Sequence, residues 1–374
     1  MNPIQKRVKA SIPREFQGVQ ALRGLAACMV VVYHSTQTWS THVGSSSGTW
    51  FNGLGGVDVF FVVSGFVMTV STIEKRNGRH PARDFMERRL VRIVPMYWLM
   101  TALTLLKAYA VRLQPKIENI GPHASVTLGY IVSSLLFVPY RNSLGFVQPI
   151  LSVGWTLSFE MFFYLLFACA LALRISEIRL LAPVMIALAA LGLWHGDFGS
   201  AIGVLASPLL LEFLAGVAIG RAIEEGWRVR PGIAAAVGVL SAGALLALPP
   251  SFLFGIDWLT RGTFAVLLVL CAVMLETQIA KRMPKWALAI GDASYSLYLV
   301  HLLLFAVILK PVSRVGLLAP GSTRFIGEAA TVLAFAAPSI LISLAVYRWI
   351  EAPINNALRR QLKLRNARMQ PVVL

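Results

Sequence analysis

Arg23 and His34 lie 11 residues apart in the stretch LRGLAACMVVVYHS (22–35). On a helix that spacing is about three whole turns and about 16 Å of rise, so the two side chains share a face. An imidazole with an unperturbed pKa of about 6.5 can, when neutral, take a proton from a hydroxyl. Three more ionisable groups fall in apolar surroundings: Asp58 in GLGGVDVFFVVSGFVM, Glu160 in VGWTLSFEMFFY and His301 in GDASYSLYLVH. A carboxylate beside a histidine orients the ring and stabilises its imidazolium, so His34 with Asp58 or Glu160 makes a general-base constellation. The plainer reading of each is an anchor at a helix end for Arg23, an interhelical hydrogen bond for His34, and an arginine partner for Asp58 or Glu160. Ser64 and Ser158 are available hydroxyls, but neither stands in a G-x-S-x-G elbow.

A second chemistry is written in EKRNGRHPARDFMERRLVRIVPMYW, where Arg89 and Arg92 are three apart and thus neighbours on a helical face. Two guanidinium forks so placed suit phosphate oxygens. The same loop would serve as an ordinary basic membrane anchor.

The elements that must position these groups are membrane helices. The chain is 57% hydrophobic and only 14% charged, with a mean hydropathy of +0.69. Apolar runs near 21–39, 53–73, 93–110, 152–173, 180–195, 201–220, 233–248, 259–277, 287–309 and 323–349 predict ten spans in an all-α, polytopic bundle. The segment 127–140 is shorter than a crossing and reaches Pro139, which predicts a re-entrant or interfacial helix.

With the N-terminus in the cytoplasm, the inner pieces hold 26 of the 34 Lys and Arg, which fixes the orientation by the positive-inside rule and puts both termini inside. The same bias accounts for most of the net charge of +17 without nucleic acid, for which no soluble domain is left. The basic start (Lys6, Arg7, Lys9, Arg14) leads into an uncleaved first span rather than a signal peptide, because no small-residue cleavage site follows. The expected organisation is a basic N-terminus over 1–20, a membrane domain over 21–350 and a basic cytoplasmic tail over 351–374. Cys28, Cys169 and Cys271 sit in apolar runs as small packing groups, and neither a disulfide nor a metal is expected. Gly216 and Gly220 form a G-x-x-x-G, a sign of close helix packing.

In this topology Asp58 falls about 7 Å and Glu160 about 10 Å inside the outer surface, and His34 and His301 come to a similar level. Four ionisable groups on four helices then share one depth, which favours a common polar cavity. A secondary transporter would also bury such groups, but paired interrupted helices in two related halves are not evident. A structural subunit of an export machine would not need Arg23 and His34 on one face.

These segments resemble the acyltransferase family 3 membrane proteins, bacterial transferases that O-acylate exopolysaccharide, O-antigen and related glycans. ALRGLAACMVVVYH matches the family's R-x10-H through Arg23 and His34, GGVDVFFVVSGF matches its second-helix signature, and FMERRLVRIVPMYW matches its R-x-x-R through Arg89 and Arg92. WTLSFEMFFY, SYSLYLVH and YRWIEAPI follow in the family's order, so the resemblance runs over nearly the whole chain.

The resemblance implies an enzyme of the bacterial inner membrane that moves an acyl group, acetyl in the expected case, from cytoplasmic acyl-CoA to a sugar hydroxyl of a lipid-linked or surface glycan. It implies His34 as catalytic residue, acting as base or as transient acyl carrier, with Arg23, Arg89 and Arg92 engaging the donor. Asp58 and Glu160 are expected to support His34, and Trp155, Tyr295 and His301 to line the acceptor cavity. Some members carry an extracytoplasmic esterase-like domain after the membrane part, and this sequence is similar to the stand-alone type.

Overall fold

The computed structural model describes residues 13, 15–43, 49–76, 78–112, 125–195, 201–317 and 324–368. Lys6, Arg7, Lys9 and Arg14 of the expected basic N-terminus, and the last residues of the tail (369–374), lie outside the described residues.

The chain is a polytopic helical bundle. Its helices are α1 (Gln17–Val43), α2 (Gly55–Thr72), α3 (Pro81–Arg112), α4 (Leu128–Leu135), α5 (Trp155–Ala172), α6 (Glu177–His195), α7 (Ala201–Leu205) and α8 (Leu210–Glu224). They continue as α9 (Pro231–Ala247), α10 (Asp257–Met274), α11 (Glu276–Ile279), α12 (Lys285–Asp292), α13 (Ser294–Arg314), α14 (Arg324–Val346) and α15 (Ala352–Arg368). Each of the ten apolar runs overlaps described helix, the run 201–220 being broken between Leu205 and Leu210, and among the described residues eight helical stretches are long and apolar enough to cross a membrane. α9 falls short of that standard on length, with 17 residues. The 27-residue α1 is held below it by its own polar side chains, among them Gln17, Gln20, Arg23, His34 and Gln37.

Two compact units partition these helices. The first comprises residues 1–74 and 208–344. In it α2 and α8 meet backbone to backbone: a Cβ on Gly65 would stand 2.1 Å from the Phe213 carbonyl oxygen, and one on Gly216 would stand 2.1 Å from that of Val62. The G-x-x-x-G is therefore a packing face, as its sequence predicts. Val59, Val62, Val63 and Phe66 of α2 join Ile219 and Ile223 of α8 and Ala265 and Val269 of α10 in one buried apolar cluster. A second cluster joins Ala27, Val31 and Trp39 of α1 to Leu297 and Phe305 of α13 and Phe335 of α14.

The second unit comprises 75–207 and 345–374. Phe85 of α3 stacks on Phe167 of α5 at 5.0 Å and meets Tyr164 edge-on at 5.8 Å. The segment 127–140 forms only the eight-residue α4, after which Phe137 takes a left-handed φ of 60° that turns the chain ahead of Pro139. Tyr97 donates to the Ser134 carbonyl at 2.9 Å and the Trp98 indole to that of Leu135 at 2.9 Å, so two α3 side chains cap α4's final carbonyls. At the base of α6 the fully buried Glu177 pairs with Arg76 at 2.9 Å.

Candidate active site

α1 is continuous from Gln17 to Val43, so the 11-residue spacing of Arg23 and His34 becomes a fixed separation along one helix face. Its start is anchored by a distant carboxylate. Glu276, only 4% exposed, accepts the Gln17 amide at 2.6 Å and the Gly18 amide at 2.9 Å, satisfying donors that a helix start leaves open.

α12 and α13 run alongside α1 in parallel register. A Cβ on Gly291 would stand 2.2 Å from the Gln20 carbonyl oxygen, and one on Gly24 would stand 2.9 Å from the Gly291 amide, so the backbones touch at this crossing. Around it the Gln20 amide donates to Asp292, and the Arg23 guanidinium donates to Ser294 Oγ at 2.9 Å and to Gln20 Oε1 at 3.1 Å. Ten residues beyond Gly24 and Gly291, His34 meets His301.

The two rings are 5.0 Å apart between centroids and inclined at 46°. His34 Nδ1 lies 3.0 Å from the Val30 carbonyl oxygen and 3.2 Å from His301 Nε2. His301 Nδ1 lies 3.0 Å from the Leu297 carbonyl oxygen. His301 is fully buried, whereas His34 keeps part of its surface open. Tyr33 flanks the first ring, and Tyr298 and Phe305 flank the second. His301, expected at an acceptor cavity, thus lies beneath His34, while Tyr295 stands half-buried near the start of α13.

Asp58 goes elsewhere. Its Oδ2 is 3.4 Å from Arg261 Nε of α10, and the Glu212 carboxyl of α8 lies against it. Asp58 is 2% and Glu212 5% exposed. The two carboxyls face each other in the buried interior, with the Arg261 guanidinium as the cation beside them. Neither Glu212 nor Arg261 stood out among the expected site residues. The available signal was simple: each is an ionisable side chain inside an apolar run.

The second unit holds Arg89, Arg92, Glu160 and Trp155. Tyr164 donates a short hydrogen bond to Glu160, one turn away on α5. Arg89 is buried, with its guanidinium 5.7 Å above the Phe85 ring and close to Tyr164 and Glu160. Arg92, one turn on, is half-buried. Trp155 opens α5, half-buried and edge-on to Phe159 at 5.8 Å. Glu160 therefore belongs to an arginine and tyrosine cluster, a neighbourhood its sequence context did not reveal.

An arrangement with a partly open imidazole backed by a buried one suits proton transfer from a hydroxyl. Comparison with known proteins identifies the family. The acyltransferase domain profile designated acyltransferase family 3 matches residues 16–348. The exopolysaccharide production protein ExoZ of Rhizobium meliloti is 35% identical over 322 residues, covering 84% of this chain and 93% of its own length. The O-acetyltransferase OatA of Staphylococcus aureus is 26% identical over 77% of this chain, and the peptidoglycan O-acetyltransferase OatA of Listeria monocytogenes is 29% identical over 43%. This chain spans 50% and 25% of those two longer proteins. No solved structure matches it. The chain belongs to the acyltransferase 3 family of multi-pass membrane proteins, and it is an enzyme that transfers acyl groups other than aminoacyl groups.

Proposed function

We propose that the protein O-acetylates a sugar hydroxyl of an exopolysaccharide or related surface glycan, with cytoplasmic acetyl-CoA as donor, in the inner membrane of a bacterium. The observation that carries this reading is the single helix α1. It presents Arg23 near its start and, about 16 Å along the same face, a half-buried histidine backed by a second one. That separation suits a donor whose phosphates stay at the basic membrane edge while its pantetheine arm carries the thioester inward. The similarity to ExoZ supports an exopolysaccharide acceptor, and the OatA relatives support acetyl as the group moved.

In this reading His34 takes the proton of the sugar hydroxyl as its oxygen attacks the thioester carbonyl. The new C–O ester bond forms, the C–S bond breaks, and the departing thiolate takes up the proton from the imidazolium. Arg23, whose guanidinium also donates to Ser294 and Gln20, is assigned to donor phosphate by its positive charge near the start of α1. Arg89 and Arg92 are assigned to the donor's phosphates as well, Arg92 through its more open position and Arg89 by its positive charge. The plainer part for Arg89 is the one its burial displays, joining α3 to α5.

The test is mass spectrometry of the surface glycan from cells that carry the wild-type gene, no gene, or His34→Ala. The expected outcome is an acetyl ester that vanishes without the gene and falls by about 10²- to 10⁴-fold in rate without the base, at unchanged membrane abundance. Wild-type esterification by the variant would overturn the role of His34.

A further inference from the structure

His34 and His301 form a directional pair, and their surroundings decide which nitrogen of each ring carries the proton. A neutral imidazole has one N–H donor and one lone-pair acceptor. Each ring here has its Nδ1 3.0 Å from a backbone carbonyl oxygen four residues earlier, Val30 for His34 and Leu297 for His301. A carbonyl oxygen only accepts, so a lone pair on either Nδ1 would face another lone pair. Both rings are therefore protonated on Nδ1. His301 Nε2 must then be a lone pair, and it faces His34 Nδ1 at 3.2 Å, so it can only accept from that N–H. The reverse tautomers would set lone pair against lone pair at both carbonyls.

One consequence follows for the chemistry. With its Nδ1–H shared between the Val30 carbonyl and His301, His34 is left with an unprotonated Nε2. The partner that fixes this arrangement is fully buried, while His34 is the ring with open surface. The helix register explains why the pair survives: the Gly24 and Gly291 backbones touch ten residues before each histidine, so neither ring can slide relative to the other. Phe305 meets the His301 ring edge-on at 5.7 Å and itself packs on Phe335 at 4.5 Å, which helps hold that ring in place.

We propose that His301 is a positioning residue for His34: it accepts the Nδ1 proton, locks the ring in one tautomer, and so makes His34 Nε2 the atom that receives the acceptor's proton. This rests on the proposed role of His34 in acyl transfer. His301 touches no reacting atom in this scheme, and it remains neutral throughout. When His34 becomes an imidazolium, its Nδ1–H bond to His301 strengthens because the donor is now charged.

The test uses the purified full chain in lipid nanodiscs, with acetyl-CoA as donor and the glycan fraction of its own cells as acceptor, and compares wild type, His301→Leu, His301→Gln and His34→Ala. His301→Leu removes the acceptor. His301→Gln can put an amide oxygen near the place of Nε2. The expected result is a loss of about 10- to 100-fold in kcat for His301→Leu, the range for removing a group that orients a functional histidine, with KM for acetyl-CoA little changed. His301→Gln should recover most of that loss. Nitrogen NMR of histidine-labelled wild-type protein reads the tautomer without any turnover, and the His34 signals, assigned by their absence in His34→Ala, should show a protonated Nδ1 and a free Nε2. A protonated Nε2 on His34 would overturn the proposal, as would wild-type kcat in a folded His301→Leu protein or no recovery by His301→Gln. If instead His34→Ala keeps full activity, the role given to His34 itself fails, and the tautomer measurement still reports on the pair.

Discussion

Asp58, Glu212 and Arg261 bring two carboxyls and one guanidinium into the apolar interior of the first unit, each from a different helix. Buried charges are costly unless paired, and removing one partner of a buried pair typically costs about 3–5 kcal/mol because the other is left uncompensated. Replacing Arg261 and Asp58 together removes one of the two stranded carboxylates and leaves Glu212, so the recovery is partial. Arg261→Met should therefore lower the melting temperature of the purified protein sharply, and adding Asp58→Asn should restore part of the loss. The coupling energy of that double-mutant cycle should fall within about 0.5–3 kcal/mol. Asp58 was also expected to orient His34, and the same variants decide the matter: if Asp58 only pairs with Arg261, a folded Asp58→Asn protein keeps its kcat. A large kcat loss at full thermal stability would return Asp58 to the catalytic group. What the sequence made legible at this scale was the pair that shares a helix, Arg23 and His34, and the depth that brings His301 level with His34. Helical rise alone supplies both. The partners of Asp58 were hidden because they lie about 150 to 200 positions away on other helices, and only packing chooses which of several ionisable groups meet. Arg89 was hidden for a related reason: charge and spacing describe a basic face, whereas the Phe85, Tyr164 and Glu160 side chains around it come from tertiary structure.

Helices position the histidine pair through one close crossing, so the crossing is a test of the site. The parallel run of α1 with α12 and α13 depends on Gly291, where a Cβ would stand 2.2 Å from the Gln20 carbonyl oxygen, and backbone on both sides leaves no flexible atom to yield. Gly291→Ala should separate the helices at that point, with an overpacking cost of about 1–3 kcal/mol and a loss of activity from the displaced His301. Gly243, inside α9, gives the contrast, since a Cβ there meets no described atom within 4 Å. Gly243→Ala should stabilise the protein by about 0.8–1 kcal/mol from helix propensity alone and leave activity unchanged. Melting of both variants beside an acyl-transfer assay checks the pair of expectations, and equal tolerance at the two glycines would show that the crossing does not hold the register. Hydropathy located the elements well, because ten long apolar runs can hardly be anything but helices in lipid. As a count of apolar runs it does not by itself set α1, the helix that carries Arg23 and His34, apart from the eight stretches apolar enough to cross a membrane. The side chains that lower the hydropathy of α1 include Arg23 and His34, the two to which the proposed function assigns roles.

Under the proposed function the whole molecule presents two chemically unlike substrates to one histidine, which turns membrane orientation into a statement about mechanism. The basic segments predict that the start of α1 faces the cytoplasm, where acyl-CoA is made, and that its far end faces outward, where a surface glycan resides. Glu15 is exposed just before α1, and Thr41 is exposed at its other end. Gln37 is exposed three residues beyond His34, close to the same helix face. The chain's free cysteines, Cys28, Cys169 and Cys271, can be replaced by alanine, with a small packing loss expected at the buried Cys271. In that background single cysteines at Glu15, Gln37 and Thr41 can be exposed to a membrane-impermeant maleimide in intact cells and in inverted vesicles. Glu15→Cys should label only from the cytoplasmic side and Thr41→Cys only from the outer side. Gln37→Cys is the decisive position: labelling from outside alone places the approach to His34 where a glycan hydroxyl would arrive, so that the acyl group, and not the nucleotide, is what crosses. A transporter would instead open this position to each side in turn. If Gln37→Cys reacts from the cytoplasm alone while Glu15→Cys does the same, the acceptor must be cytoplasmic, and transfer across the membrane is ruled out whatever His34 does to the proton.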